Sequence, residues 1–456
     1  MIDQLLFRRF FTSLAIAWAV GEWILACWLL PPFRALPPAL QLLALPAMAL
    51  LNRLAACVFE RESRLPALVD RPARMLMAGG FAAFAGAGAF LVLAGLWIAA
   101  GVLGGHPAEA GMLTGAREPF SLPRGFEIVA LPLVAFAMGT VVHGYLRGYR
   151  RLVVTRLDVP VMALPAALAG LRVVHLSDLH LGPLADRSGL RDAFDRVAAL
   201  EPDLVCVTGD IVDTPVADLA SWIPELARVT ARYGVFAVLG NHDRHADAEK
   251  VAGALRRWTS WRVLRDEAAV VEIGGARLHV LGLEDRPRLQ AADALPHVLS
   301  ARPPAEPAIL LTHRPNVFAP AAAAGVPLVL AGHTHGGQVA VPGLPRFNLA
   351  RFLMTRFDAG LFRDGGSWLH VSRGLGTSGQ PVRVGVPREI TVLTLVPGVA
   401  SARRVDGRPT RTNFGRGGLT SPPQFPKKLR PWTKRSEEDC SRRWRSCSRW
   451  SRSRIC

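Results

Sequence analysis

Long apolar runs separated by short basic stretches dominate the first 150 residues. Residues 11–30 are apolar with Glu22 the one charged residue, residues 75–103 carry no charge, and residues 128–146 are interrupted only by His143. A spanning helix needs about 20 apolar residues, so each of these three runs predicts one. Residues 36–51 are shorter and hold Pro37, Pro38 and Pro46, which makes this run the marginal member. Several apolar runs follow the first, which argues against a cleaved signal peptide. Gly79, Ala83 and Ala87 recur every fourth residue, a spacing that suits close helix packing. Glu22 is expected to face a neighbouring helix, and His143 to lie near the interface.

After residue 170 the pattern changes to short apolar runs alternating with mixed stretches. Residues 171–175, 204–208, 235–239, 278–283, 309–312 and 328–331 predict buried strands, with further strands at 368–372 and 389–395. Residues 188–200, 222–232 and 247–258 predict helices. Such alternation implies an α/β layered fold. The expected organisation is a helical transmembrane region over 1–150, a linker over 151–169, a catalytic domain over 170–398 and a basic low-complexity tail over 399–456.

Charge sharpens this division. The formal net charge is +18, yet residues 401–456 hold 16 Lys and Arg against 4 Asp and Glu. The tail's Arg, Ser and Pro, without apolar periodicity, predict disorder. Arg8 and Arg9, the Arg53–Arg74 cluster and Arg147–Arg156 flank the apolar runs, whereas the other loops carry Arg34, Arg117 and Arg124. Four spans with the N-terminus and the catalytic domain in the cytoplasm satisfy the positive-inside rule. Six cysteines in 456 residues exclude a disulfide scaffold. Cys27, Cys57 and Cys206 lie in apolar contexts, and Cys440, Cys447 and Cys456 of the tail are assigned no metal role.

The chemistry concentrates at strand ends. His175-Leu-Ser-Asp178-Leu-His180 closes the first predicted strand, Gly209-Asp210 the second and Gly240-Asn241-His242-Asp243 the third. Thr312-His313-Arg314 closes the fifth, and Gly332-His333-Thr334-His335-Gly336-Gly337 the sixth. Ligands of open α/β sheets bind outside the carboxyl ends of the strands, so five such clusters should converge. Asp, Asn and His without thiolate suit Mn, Fe or Zn. The candidate donors exceed the needs of one ion and suit two, about 3.5–4 Å apart, the arrangement for in-line attack on phosphorus. Gly209, Gly240 and Gly332 each precede a candidate donor and allow close backbone approach.

The ordered set D-x-H, G-D, G-N-H-D, H and G-H-x-H resembles the calcineurin-like metallophosphoesterase superfamily over residues 170–397. The segment SRGLGTSGQPVRVGVPREITVLTL is similar to its membrane-associated bacterial branch. The resemblance implies a four-layer sandwich, two sheets flanked by helices. It implies that Asp178, His180 and His335 bind a first metal, that Asp210 bridges, and that Asn241, His313 and His333 bind a second. His242 would contact the phosphoryl group or protonate the leaving oxygen, oriented by Asp243. Two divalent ions are expected as cofactors, Mn first, with Fe or Zn as alternatives.

The function expected is a membrane-anchored phosphodiesterase or pyrophosphatase using a metal-bridging hydroxide. Some relatives in that branch act on a lipid A precursor, so its partners would be the bilayer and a phosphorylated small-molecule or lipid-linked substrate. No specific nucleic acid is expected, and the location implied is a bacterial inner membrane. Alternatives are a membrane sensor or transporter with a regulatory phosphoesterase-like domain, or a nuclease using the basic tail. His175 reads as a packed core histidine, while His245, Asp213, Glu284 and Asp285 lie near the motifs. Arg314 and Arg383 are expected first in surface ion pairs, and alternatively as phosphate or substrate clamps. Residues 347–357 interleave Phe, Leu and Met with Arg, which suits a surface element on anionic lipid or a loop covering the sheet edge.

Overall fold

The computed structural model describes residues 2–60, 67–103, 124–182, 185–213, 216–286, 291–341, 343–398 and 410–411. Two units form, one of Met1–Tyr149 with Val382–Val384, the other of Arg150–Pro381 with Gly385–Cys456.

The first unit is helical. Ile2–Leu29, Pro38–Glu60, Ala67–Leu103 and Arg124–Leu146 each contain a stretch long and apolar enough to cross a membrane. The marginal run qualifies as Pro38–Ala56. Pro38 stands at the helix start, where a missing N–H costs nothing, and Pro46 is carried inside the helix. Glu22 accepts a hydrogen bond from Asn52 Nδ2 at 3.0 Å, the interhelical role expected of it, and His143 is exposed near its helix end. Ala83 and Ala87 are buried as their spacing predicts, but Gly79 opens on free space. The close approach is made by Gly21, whose missing Cβ would lie 2.7 Å from Phe84 Cα.

The second unit opens with β1 (Leu152–Val161), β2 (Arg172–Leu176), β3 (Leu204–Thr208), β4 (Val235–Val238) and β5 (Trp261–Val263). There follow β6 (Glu267–Ile273), β7 (Ala276–Gly282), β8 (Ala308–Leu311) and β9 (Leu328–Ala331). A hairpin of β10 (Ala340–Val341) and β11 (Leu344–Asn348) precedes β12 (Gly360–Asp364), β13 (Ser367–Val371), β14 (Arg388–Pro397) and β15 (Thr410–Arg411). One sheet runs β1-β14-β2-β3-β4-β5 and the other β15-β12-β13-β9-β8-β7-β6. The runs β2 to β5 and β7-β8-β9-β13 are parallel.

Alternation along each strand builds the layers. Leu204 and Cys206 point into the core shared by the two sheets, while Val205 and Val207 face helices Arg187–Ala199 and Asn241–Trp258. On the far side, Leu310 and Val329 pack with helices Ala291–Ser300 and Phe318–Ala323. The result is the expected four-layer sandwich, in which strands buried on both faces read as continuous apolar runs.

Several elements differ from the sequence reading, which does not predict β5, β6 or β10 to β12. Residues 152–161, expected within a linker, form β1 and pair parallel with β14 from Leu152↔Arg388 to Val161↔Pro397. The helix expected over 222–232 is reduced to Ile223–Leu226, which starts with Pro224 in its first turn. The tail lies outside the described residues except Thr410–Arg411, which pairs with β12.

Candidate metal centre

Every motif sits where a parallel strand ends. Asp178 and His180 follow β2, Asp210 follows β3, Asn241 and His242 follow β4, His313 follows β8, and His333 and His335 follow β9. Asp178, His180, Asp210, His333 and His335 adopt positive φ, between 47° and 73°. That region costs a side chain bearing a Cβ roughly 1–2 kcal/mol, and five of the ten described non-glycine residues that adopt it lie here. A Cβ on Gly240 would overlap Asp210 Oδ1, and one on Gly332 would overlap Ser177 Oγ and Asp178 Oδ2. These glycines let the carboxylates lie against neighbouring backbone.

The side chains converge in three groups whose donor atoms lie within 4.8 Å of one another: Asp178, His180 and His335; His180, Asp210 and His242; Asp210, His313 and His333. His180 Nε2 lies 2.9 Å from His335 Nε2, and His335 Nε2 lies 3.4 Å from Asp178 Oδ1. Asp210 Oδ2 lies 3.7 Å from His180 Nε2 and 3.2 Å from His313 Nε2. Asn241 Oδ1 is 3.2 Å from His313 Nε2, and His333 Nδ1 is 3.1 Å from the same atom. All seven candidate donors are thus brought together.

Outer hydrogen bonds aim these rings. His313 Nδ1 bonds the Thr208 carbonyl at 2.8 Å and His180 Nδ1 bonds Asp213, so both present Nε2 inward. Ligating imidazoles are typically held this way. The His242 backbone N–H donates to Asp210 Oδ1 at 2.9 Å, and the His333 backbone N–H to the Asp178 carboxylate. His175, buried as expected, bonds Thr208 Oγ1 and His370 Nδ1, each at 2.8 Å, and so braces the strand end from within.

The buried carboxylates draw positive charge into this site. Burial raises the Asp178 carboxyl, and the nearby Asp210 charge adds to this. Burial opposes the charge on Asp210 as well, but His313 and the other imidazoles outweigh it and hold Asp210 well below the usual range. Burial likewise disfavours the His313 cation, yet Asp210 and Asp178 lift it to about 10. His333 is driven down to about 2 by burial and by His313 and Arg314. Paired carboxylates and imidazole nitrogens facing one another across about 3 Å form an oxygen and nitrogen donor set suited to divalent ions.

One expected role moves. His242 Nδ1 bonds Asp213 Oδ1 at 2.7 Å, so Asp213 rather than Asp243 orients this ring. Asp243 instead accepts backbone N–H groups, from Ile211 and Val212 at 2.9 Å and from Gly240 at 2.8 Å. Its neighbour in sequence points elsewhere because Asp243 lies in the first turn of its helix, where a carboxylate turns back to cap exposed N–H groups. The signal for Asp213 is its place three residues after Asp210. Burial works against charged His242, but the Asp213 bond and the Asp210 and Asp213 charges raise it to about 9.

Arg314 also reaches the centre. Its Nε donates to Asp285 Oδ1 at 2.8 Å, while Nη1 lies 3.2 Å from His333 Nε2 and Nη2 3.1 Å from Asn241 Oδ1. Arg383 is buried and groups with the helical unit. Glu284 pairs with Arg265, and the His245 ring centroid is 6.4 Å from that of His242.

A family model described as calcineurin-like phosphoesterase matches residues 171–337. A Bos taurus transmembrane protein with metallophosphoesterase domain is 32% identical over 299 residues, 61% of this chain. The chain covers just under two thirds of that relative, 65% of its length. An uncharacterized metallophosphoesterase of Aquifex aeolicus (strain VF5) is 34% identical over 232 residues, 49% of this chain and 85% of the relative. Among solved structures, a protein of Thermus thermophilus aligns with a TM-score of 0.33 and 14% identity, over 45% of this chain and 89% of its own.

Proposed function

This chain belongs to the calcineurin-like metallophosphoesterases, and we propose that it hydrolyses a phosphodiester or diphosphate bond with two divalent ions, Mn first among them. The observation that carries this reading is Asp210, whose Oδ2 lies within reach of both His180 and His313. Asp178, His180 and His335 would hold one ion, Asn241, His313 and His333 the other, and Asp210 both. When bound, such a pair polarises phosphoryl oxygens and acidifies a water that attacks phosphorus.

The protein's own groups do the rest. His242, raised to about 9, carries a proton at neutral pH and donates it to the leaving oxygen. Asp213 fixes its ring. Arg314, anchored by Asp285, offers a fork of N–H donors to a phosphoryl oxygen.

The four apolar helices support a multi-pass membrane protein with its catalytic domain on the cytoplasmic side. A catalytic domain tethered at a bilayer gains effective concentration for membrane substrates, so the substrate class proposed is a lipid-linked phosphodiester or diphosphate. The test is hydrolysis of bis(p-nitrophenyl) phosphate by the metal-stripped full chain in detergent, as Mn, Zn, Fe and Mg are restored separately. Metal-dependent turnover supports the reading. An equal rate in chelator overturns it.

A further inference from the structure

In the second unit, exposed large apolar side chains cluster in one place. Of seven among its described residues, five are Val341, Leu344, Phe347, Phe352 and Met354, the others being Met162 and Val270. Phe352 is 67% and Phe347 55% exposed, with ring centroids 6.3 Å apart. The adjoining Ala350 and Phe357 are buried. Arg346, Arg351 and Arg356 are interleaved with the apolar group and exposed, Arg351 also pairing with Asp358 Oδ1 at 3.2 Å and Arg356 lying over the Phe357 ring.

This segment packs against the metal-ligand loop through Asn348. Gly337, two residues after His335, has φ +81° and packs so tightly on Asn348 that a Cβ would lie 2.7 Å from its side chain. Asn348 accepts the Arg351 N–H at 2.9 Å, capping helix Leu349–Leu353, and donates to Asp358 Oδ2 at 2.8 Å. Thr334, between His333 and His335, donates to the Asp358 carbonyl. Whatever binds the exposed segment is therefore held beside the metal centre.

We propose that residues 341–354 dip into the surface of an anionic bilayer and hold the mouth of the metal centre at the lipid headgroups. Exposed aromatic and aliphatic side chains enter the acyl boundary, and interleaved guanidinium groups meet lipid phosphates. The charge pattern favours lipid over a second copy of this basic chain, and the same chain carries four helices long and apolar enough to cross a bilayer. The proposal deepens the lipid-linked reading of the substrate and rests on it for that consequence.

The test places a fluorescent amino acid at Phe352, and separately at Val270, in the full chain held in nanodiscs. The discs contain phosphatidylglycerol with brominated acyl chains. Bromine is expected to quench the probe at 352 at least twofold and to leave the probe at 270 unchanged, with less quenching when neutral lipid replaces anionic. No quenching at 352, or equal quenching at both positions, overturns the proposal. So does a probe at 352 that becomes shielded only when two chains share a disc, which would identify a second copy as the occupant. Mn-dependent hydrolysis of bis(p-nitrophenyl) phosphate in the same discs reports the phosphoesterase reading separately, because a soluble ester does not need the lipid contact.

Discussion

The Asp213 carboxylate holds the His242 ring, with Oδ1 and Nδ1 2.7 Å apart. The same carboxylate bonds His180 Nδ1, so one side chain aligns a proposed proton donor and a proposed metal ligand. Asp213→Asn should lower kcat about 10–100-fold at saturating Mn, the usual loss when a supporting partner is removed. The alkaline limb of the pH–rate profile should also move. Activity that needs protonated His242 falls as pH rises through about 9, and without the carboxylate it should fall at lower pH. An unchanged alkaline limb would count against this role.

Asp243 acts on stability instead. It receives three buried backbone N–H groups, and burial with the Asp210 charge raises it to about 6. In Asp243→Asn, one oxygen becomes an NH₂ that cannot accept. The expected cost is about 2 kcal/mol in denaturant unfolding, with the His242 pH limb left in place.

Arg314 should govern phosphate affinity. Arg314→Lys replaces a fork by a single ammonium, so inhibition by inorganic phosphate should weaken about tenfold, roughly 1.4 kcal/mol. Mn affinity, read by calorimetry, should change less. Weakened Mn binding with phosphate inhibition intact would make Arg314 a support for Asn241 and His333 instead.

The site was legible in the sequence because its chemistry repeats one rule, a polar cluster at the carboxyl end of a buried strand. The convergence of Asp178, Asp210, His313 and His333 could be expected without knowing any distance. Orientation was not legible. Adjacent residues on a helix's first turn diverge, so the neighbour of His242 in sequence caps backbone while a residue 29 positions earlier holds the ring. β1 was hidden for a related reason. Its pattern of partly exposed residues, with Arg156 and Asp158 among them, is that of an edge strand, which lacks the continuous apolar run of its partner β14. Helix 222–232 failed because apolar spacing cannot reveal that tertiary packing prefers a 3₁₀ turn at Val216–Ser221 and a short helix.

The inter-sheet histidines predict an acid sensitivity. Burial lowers His370 to about 4, with Glu389 opposing and Arg373 adding. Folded His370 is then neutral, while the unfolded chain takes up its proton near 6.5. Stability should therefore fall as pH drops from 6.5 to 4, by an amount on the order of 3 kcal/mol. His370→Leu should flatten that slope in denaturant unfolding across the same window, and an unaltered slope would assign it to other groups.

The central claim, two ions sharing Asp210, is tested most directly by counting metal. The full chain in detergent, stripped and then titrated with Mn, should bind two ions per chain by calorimetry and elemental analysis. Asp210→Asn should lose at least one of them and lower turnover of bis(p-nitrophenyl) phosphate at least 100-fold, an expectation of the order set by lost ligand and bridging charge. A variant that keeps both ions and the full rate would contradict the account.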